Sequence, residues 1–115
     1  MRTEQNEKTI VILRKWPDGD VIALFPEIPA DNTGLCCLSY ELCGEHGAAS
    51  AWHVIRKTKL ATPAEYADTK AALEKRGYEL VIRKRVTAAM DDARHRAAAA
   101  AAKSQIFIRE DAIWK

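Results

Sequence analysis

Two apolar runs on either side of a tight-turn signal constrain this chain more than any other feature. Lys8-Thr9-Ile10-Val11-Ile12-Leu13-Arg14-Lys15-Trp16 is apolar at its centre on both period-2 faces, the pattern of an interior β-strand. Pro17-Asp18-Gly19-Asp20 follows. Proline presets φ, aspartate bonds back to the backbone, and glycine accepts the left-handed region. Val21-Ile22-Ala23-Leu24-Phe25 then returns as a second strand, so the pair reads as a β-hairpin.

Pro26 and Pro29 are expected to stop that strand and residues 29–34 to form a loop. Residues 35–43 read as a third strand, broken by Gly44-Glu45-His46-Gly47, and residues 48–57 as a helix with Trp52 and Ile55 on one side. Residues 62–77 carry a complete set of helix signals. Thr62 and Glu65 form a capping box, Pro63 suits the first helical position, and Gly77 suits a left-handed exit with Tyr78 packing back on Leu73. Residues 78–86 alternate as a fourth strand. The expected fold is α+β: an antiparallel sheet of about four strands on a helix, ordered β-β-β-(α)-α-β, over residues 1–86. Residues 87–115 are expected to form an alanine-rich helical tail, with Met90 the one large apolar residue up to Ser104 and few side chains with which to dock.

The chain has 115 residues, 48 % hydrophobic and 30 % charged, which suits one folded domain and excludes a disordered chain. No window approaches a membrane-spanning apolar run, and the first eight residues lack a signal-peptide centre, so a cytoplasmic location is expected. Three cysteines, two of them adjacent, do not suit a disulfide framework. The net charge of +2 is too small to argue for nucleic acid. Its distribution is uneven: residues 1–57 hold 6 Lys/Arg against 8 Asp/Glu, and residues 58–115 hold 12 against 8.

Three constellations could carry chemistry. Cys37, Cys43, His46 and His53 have ligand types suited to zinc, and Cys37 with a histidine could form a nucleophile–base pair. Cys36 and Cys37 point to opposite faces of a strand, no CxxC is present, and nothing marks an oxyanion hole, so buried structural cysteines are the expectation. The basic run Arg83-Lys84-Arg85, with Arg94 and Arg96 beyond, could grip phosphates. On a strand, however, Arg83 and Arg85 would share a face that Lys84 leaves. The apolar end, with Ile106, Phe107, Ile108, Ile113 and Trp114, needs a surface within the chain or on another. No phosphate loop, nucleophile elbow or HExxH occurs, so no cofactor is expected and an enzyme is less favoured than a binding protein.

From about Val11 to Val86 the chain resembles a group of small proteins encoded by bacteriophages, prophages and conjugative elements. The resemblance rests on Arg14-Lys15-Trp16-Pro17-Asp18-Gly19-Asp20 through Glu27, on Cys37-Leu38-Ser39-Tyr40, on Gly44-Glu45-His46-Gly47, and on Thr58 through Tyr66 with Gly77-Tyr78. Cys36, Cys43 and the alanine-rich tail depart from it. It implies a mobile-element context and transfers no activity. The sequence therefore leads to a non-enzymatic accessory protein acting by protein–protein contact, a homodimer or a partner of another protein through residues 87–115, with no membrane. The alternatives are nucleic-acid binding through Arg83, Arg85, Arg94 and Arg96, and a small Cys/His metal or catalytic protein.

Overall fold

The computed structural model describes residues 8–42 and 45–114, with side chains described for residues 8–42 and 46–102. Among these, six strands form one sheet: β1 (Thr9–Lys15), β2 (Val21–Pro29), β3 (Cys37–Glu41), β4 (Glu45–Ala49), β5 (Lys59–Leu60) and β6 (Leu80–Ile82). Three helices, α1 (Ala51–Lys57), α2 (Pro63–Lys75) and α3 (Ala88–Trp114), complete the α+β fold. The sheet order is β4-β3-β2-β1-β5, and β6 also pairs with β1.

β1 is the interior strand its sequence implies. Val11, Ile12 and Leu13 are buried on both faces. One edge of β1 pairs with β2, as in Ile12↔Leu24 and Lys15↔Val21. The other edge is divided between two short strands. β5 runs antiparallel to Arg14 and Lys15, whereas β6 runs parallel to Thr9–Val11. The β1–β2 turn forms as expected, with Gly19 at φ 101° and Asp18 Oδ1 accepting from the Asp20 amide at 3.0 Å.

Side chains alternate between two cores. Ile12, Ile22, Leu24 and Cys37 pack with Ala51 and Val54 of α1 and with Val86. Val11, Leu13, Ala23, Phe25 and Tyr40 pack with Leu73 of α2 and with Tyr78. The α2 boundaries match the sequence signals. The Thr62 amide donates to Glu65 Oε1 at 2.8 Å, and the Glu65 amide donates to Thr62 Oγ1 at 3.3 Å. At the other end Gly77 has φ 105°, and the Gly77 and Tyr78 amides donate to the Glu74 and Leu73 carbonyls.

The structure corrects several expectations. β2 continues through Pro26 to Pro29, because the β2–β3 register shifts between Phe25 and Pro29 and removes Pro26 from the ladder. Residues 45–49 are a strand, since Tyr40↔His46 and Leu38↔Ala48 pairing outweighs the glycines that read as a break. α1 begins only at Ala51 and buries Ala51 and Val54, leaving Trp52 outside. The fourth predicted strand is reduced to Leu80–Ile82 and is parallel to its neighbour, not antiparallel.

α3 also docks, although it has no bulky apolar stripe. It packs against β2, burying Met90, Arg94 and Ala98, one residue per turn. Gly34 allows this close approach. A Cβ there would lie 3.0 Å from His95 Cδ2 and 3.1 Å from Ala98 Cβ, and its φ is 76°.

Candidate nucleic-acid interface

Arg14, on β1, organises the divided edge of the sheet. Its Nε donates to Thr58 Oγ1 at 2.9 Å, and its Nη2 donates to the Ile55 and Thr58 carbonyls at 3.0 and 2.6 Å. The Thr58 hydroxyl donates in turn to the Val54 carbonyl at 2.7 Å. A guanidinium thus satisfies carbonyls left over where α1 ends. Partial burial lowers the Arg14 pKa from its ordinary value. Because Arg14 holds this end of the helix, Arg56 and Lys57 are left exposed on its last turn, followed by Lys59 on β5.

Two clefts flank this junction. One, of about 550 Å³, is lined by Arg14, Trp52, Ile55, Leu60, Lys84 and Arg85. The other, of about 440 Å³, is lined by Lys15, Trp16, Arg56, Lys57 and Lys59, with Pro17 and Thr58. A third, more apolar hollow under Leu60 and Tyr66 adds Arg83. None of the three is lined by a carboxylate. All three adjoin β5 and together make one rim: Lys84 and Arg85 line the first cleft, Arg56, Lys57 and Lys59 the second, Arg83 and Lys84 the third, and all six cationic side chains are exposed. Trp52 lines the first cleft with Lys84 and Arg85 and has 52 % of its surface exposed.

Arg83, Arg85, Arg94 and Arg96, singled out from sequence, separate in the structure. Arg83 and Arg85 lie on the rim. β6 ends at Ile82, so the run that follows is not a strand, and Lys84 lines the same cleft as Arg85. Arg94 is withdrawn from any interface. It is 5 % exposed and donates to the Gly34 and Pro26 carbonyls and to Asp91. Arg96 is exposed on α3 and lines none of these clefts. Arg56, Lys57 and Lys59 are not among the residues expected from sequence, and Trp52, a candidate stacking residue expected to be taken up by core packing, is exposed. Arg56-Lys57-Thr58-Lys59 is itself a basic run, but it falls across the division between the acidic and basic halves.

The cysteine and histidine candidates do not converge. Cys37 is buried among Ile12, Leu24 and Val54 on one sheet face, and burial pushes its thiol up to about 11. That favours the protonated thiol, a poor nucleophile. His46 is on β4 opposite Tyr40, on the other face, where its Nε2 and the Tyr78 hydroxyl are hydrogen-bonded at 3.0 Å. His53 is exposed on α1. Cys43, and the side chains of Ile106, Phe107, Ile108, Ile113 and Trp114, lie outside the described residues. Among the described residues no helix is long and apolar enough to cross a membrane. No protein-family model, curated protein or solved structure matches the chain.

Proposed function

We propose that the protein is a non-enzymatic nucleic-acid-binding module that holds single-stranded nucleic acid along the rim around α1, β5 and residues 83–85. The observation that carries this reading is that six exposed cationic side chains, with an exposed tryptophan beside Lys84 and Arg85, line three clefts around β5 that no carboxylate lines. The cations supply attraction to phosphates. An indole supplies a face on which an unstacked base rests, and a duplex offers no such base. The resemblance of residues 11–86 to proteins of phages and conjugative elements supports an accessory role in a mobile element.

The test is a fluorescence-anisotropy titration of a labelled oligothymidine of about 20 nucleotides, repeated across salt concentrations. Neutralising about five phosphates gives a slope of log K against log salt near −3.5. Trp52→Ala should weaken binding by about 1–3 kcal/mol without moving that slope, because it removes stacking and leaves the charges. An absence of binding at low salt overturns the proposal.

A second reading, association between copies through the end of α3, is favoured by one observation. The helix continues to Trp114, and the sequence of its last residues includes the apolar Ile106, Phe107, Ile108, Ile113 and Trp114. Removing residues 103–115 keeps Arg94 and Ala98 and tests this directly. A mass in solution unchanged by the truncation removes the reading.

A further inference from the structure

Lys15, which lines one basic cleft, forms an ion pair with Glu65, which lines a pocket of opposite character. This pocket, of about 390 Å³, lies between the β1–β2 turn, the end of β3 and α2. Four acidic residues line it: Asp20, Glu41, Glu65 and Asp68. Glu65 is committed to Lys15, and Glu41 accepts from Trp16 Nε1 at 3.2 Å. Asp20 and Asp68 enter no ion pair among the described residues. The lining therefore carries more negative charge than the protein itself neutralises.

A second observation is independent of that charge. Thr69 lines the same pocket, is 1 % exposed, and has the one buried side-chain polar atom among the described residues without a hydrogen-bond partner, its Oγ1. Buried hydroxyls are nearly always paired, and an orphan beside a charged pocket points to a group that arrives from outside. Val21 and Leu42 add aliphatic surface to the lining, and Leu42 is 51 % exposed. Among the described residues no three His, Cys, Asp or Glu side chains converge tightly enough to hold a metal ion. Dispersed carboxylates, an accepting hydroxyl and aliphatic walls suit a nitrogen cation on an apolar stem.

We propose that this pocket binds an alkylammonium or alkylguanidinium group. Asp68 and Asp20 supply the counter-charge, Thr69 Oγ1 accepts an N–H, and the stem lies against Leu42 and Val21. The group has two sources, a free diamine or a lysine or arginine side chain of another protein. The site shares no lining residue with the clefts of the nucleic-acid rim, so either proposal can fail alone.

The test is an amide-resolved NMR titration of the full chain at physiological salt with butane-1,4-diamine, a capped lysine peptide, a capped arginine peptide and Mg²⁺. Saturable shifts at Asp68, Thr69 and Leu42 with the diamine or a peptide, and not with Mg²⁺, support the proposal. Whichever saturates at lower concentration identifies the source. Asp68→Asn should weaken that binding about ten-fold by removing a charge-assisted hydrogen bond. Thr69→Val keeps the side-chain volume and should weaken binding about five-fold while leaving the melting temperature unchanged or higher, since no internal hydrogen bond is lost. Shifts that never saturate, or that Mg²⁺ reproduces, overturn the proposal. So does a Thr69→Val protein that melts higher and binds the diamine and both peptides as before.

Discussion

Arg94 shows how one side chain can be lost to function because the fold has claimed it. The register shift in β2 leaves the Pro26 carbonyl without a ladder partner, and the loop carrying Gly34 leaves another. Both accept from Arg94, at 2.9 and 2.6 Å, while Asp91 one turn earlier on α3 balances the charge at 2.9 Å. Only a planar guanidinium presents donors in the directions these three acceptors require; an ammonium is a point charge. Arg94→Leu should therefore cost about 3 kcal/mol in urea denaturation, because it strands two buried carbonyls and a carboxylate. Arg94→Lys should recover only part of that. Neither change should alter oligonucleotide affinity while the protein is folded, and a loss of affinity at unchanged stability would return Arg94 to the interface. Cys37 makes the same point for nucleophilic chemistry. With its thiol raised to about 11 by burial, it should resist alkylation at about pH 8 until the protein is unfolded.

At the scale of elements, legibility follows the range of the interactions that decide each one. α2 was readable to its ends because its cap, its proline and its left-handed glycine act within a few residues. β4 was not, because its glycines read as a break and only pairing with β3, remote from any local propensity, makes it a strand. The docking of α3 was also hidden. Met90, Arg94 and Ala98 form a stripe only when the loop at Gly34 comes close enough to meet small side chains. Gly34→Ala should cost about 2 kcal/mol, since it combines a left-handed φ with contacts at 3.0 and 3.1 Å, one to a side chain of the helix and one to a methyl that cannot rotate away. Gly19→Ala places its methyl in open space and isolates the backbone contribution, so the difference between the two in chemical denaturation measures the α3 contact. The α2 cap has a pH signature as well. Hydrogen bonding to Lys15, then to Thr62, holds the Glu65 carboxyl down to about 2. A depressed folded-state pKa contributes stability above the unfolded value of about 4.3, and that contribution disappears as pH falls toward 2. Glu65→Gln should flatten the melting temperature over that window and leave its slope above pH 5 unchanged; parallel curves would show that the pair is not maintained in solution.

For the molecule as a whole, the net charge of +2 conceals a separation that the chain order cannot reveal. Arg56-Lys57-Thr58-Lys59 and Arg83-Lys84-Arg85 are far apart in sequence, and α2 with its own acidic residues lies between them. They meet because β5 and β6 attach to the same edge of β1, which carries each run to one rim. Glu65 and Asp68 of α2, with Asp20 and Glu41, line the separate pocket, which is linked to that rim by the Lys15–Glu65 and Trp16–Glu41 contacts. The basic run in the sequence points to Arg83 and Arg85 and places Arg94 and Arg96 with them, yet neither Arg94 nor Arg96 lines the clefts. Placement, and not total charge, should then govern binding. Lys57→Glu with Arg85→Glu changes the net charge by as much as Arg96→Glu with Arg76→Glu, yet only the first pair alters the two basic clefts. In the anisotropy titration at low salt, the first pair should abolish oligothymidine binding. The second pair should lower affinity only by the long-range share of the field, an effect that vanishes near 0.15 M salt, where the screening length is about 8 Å. Equal losses from the two pairs at that salt concentration would mean that the protein attracts nucleic acid by its overall charge alone, and that the rim is a solvated edge with no ligand of its own.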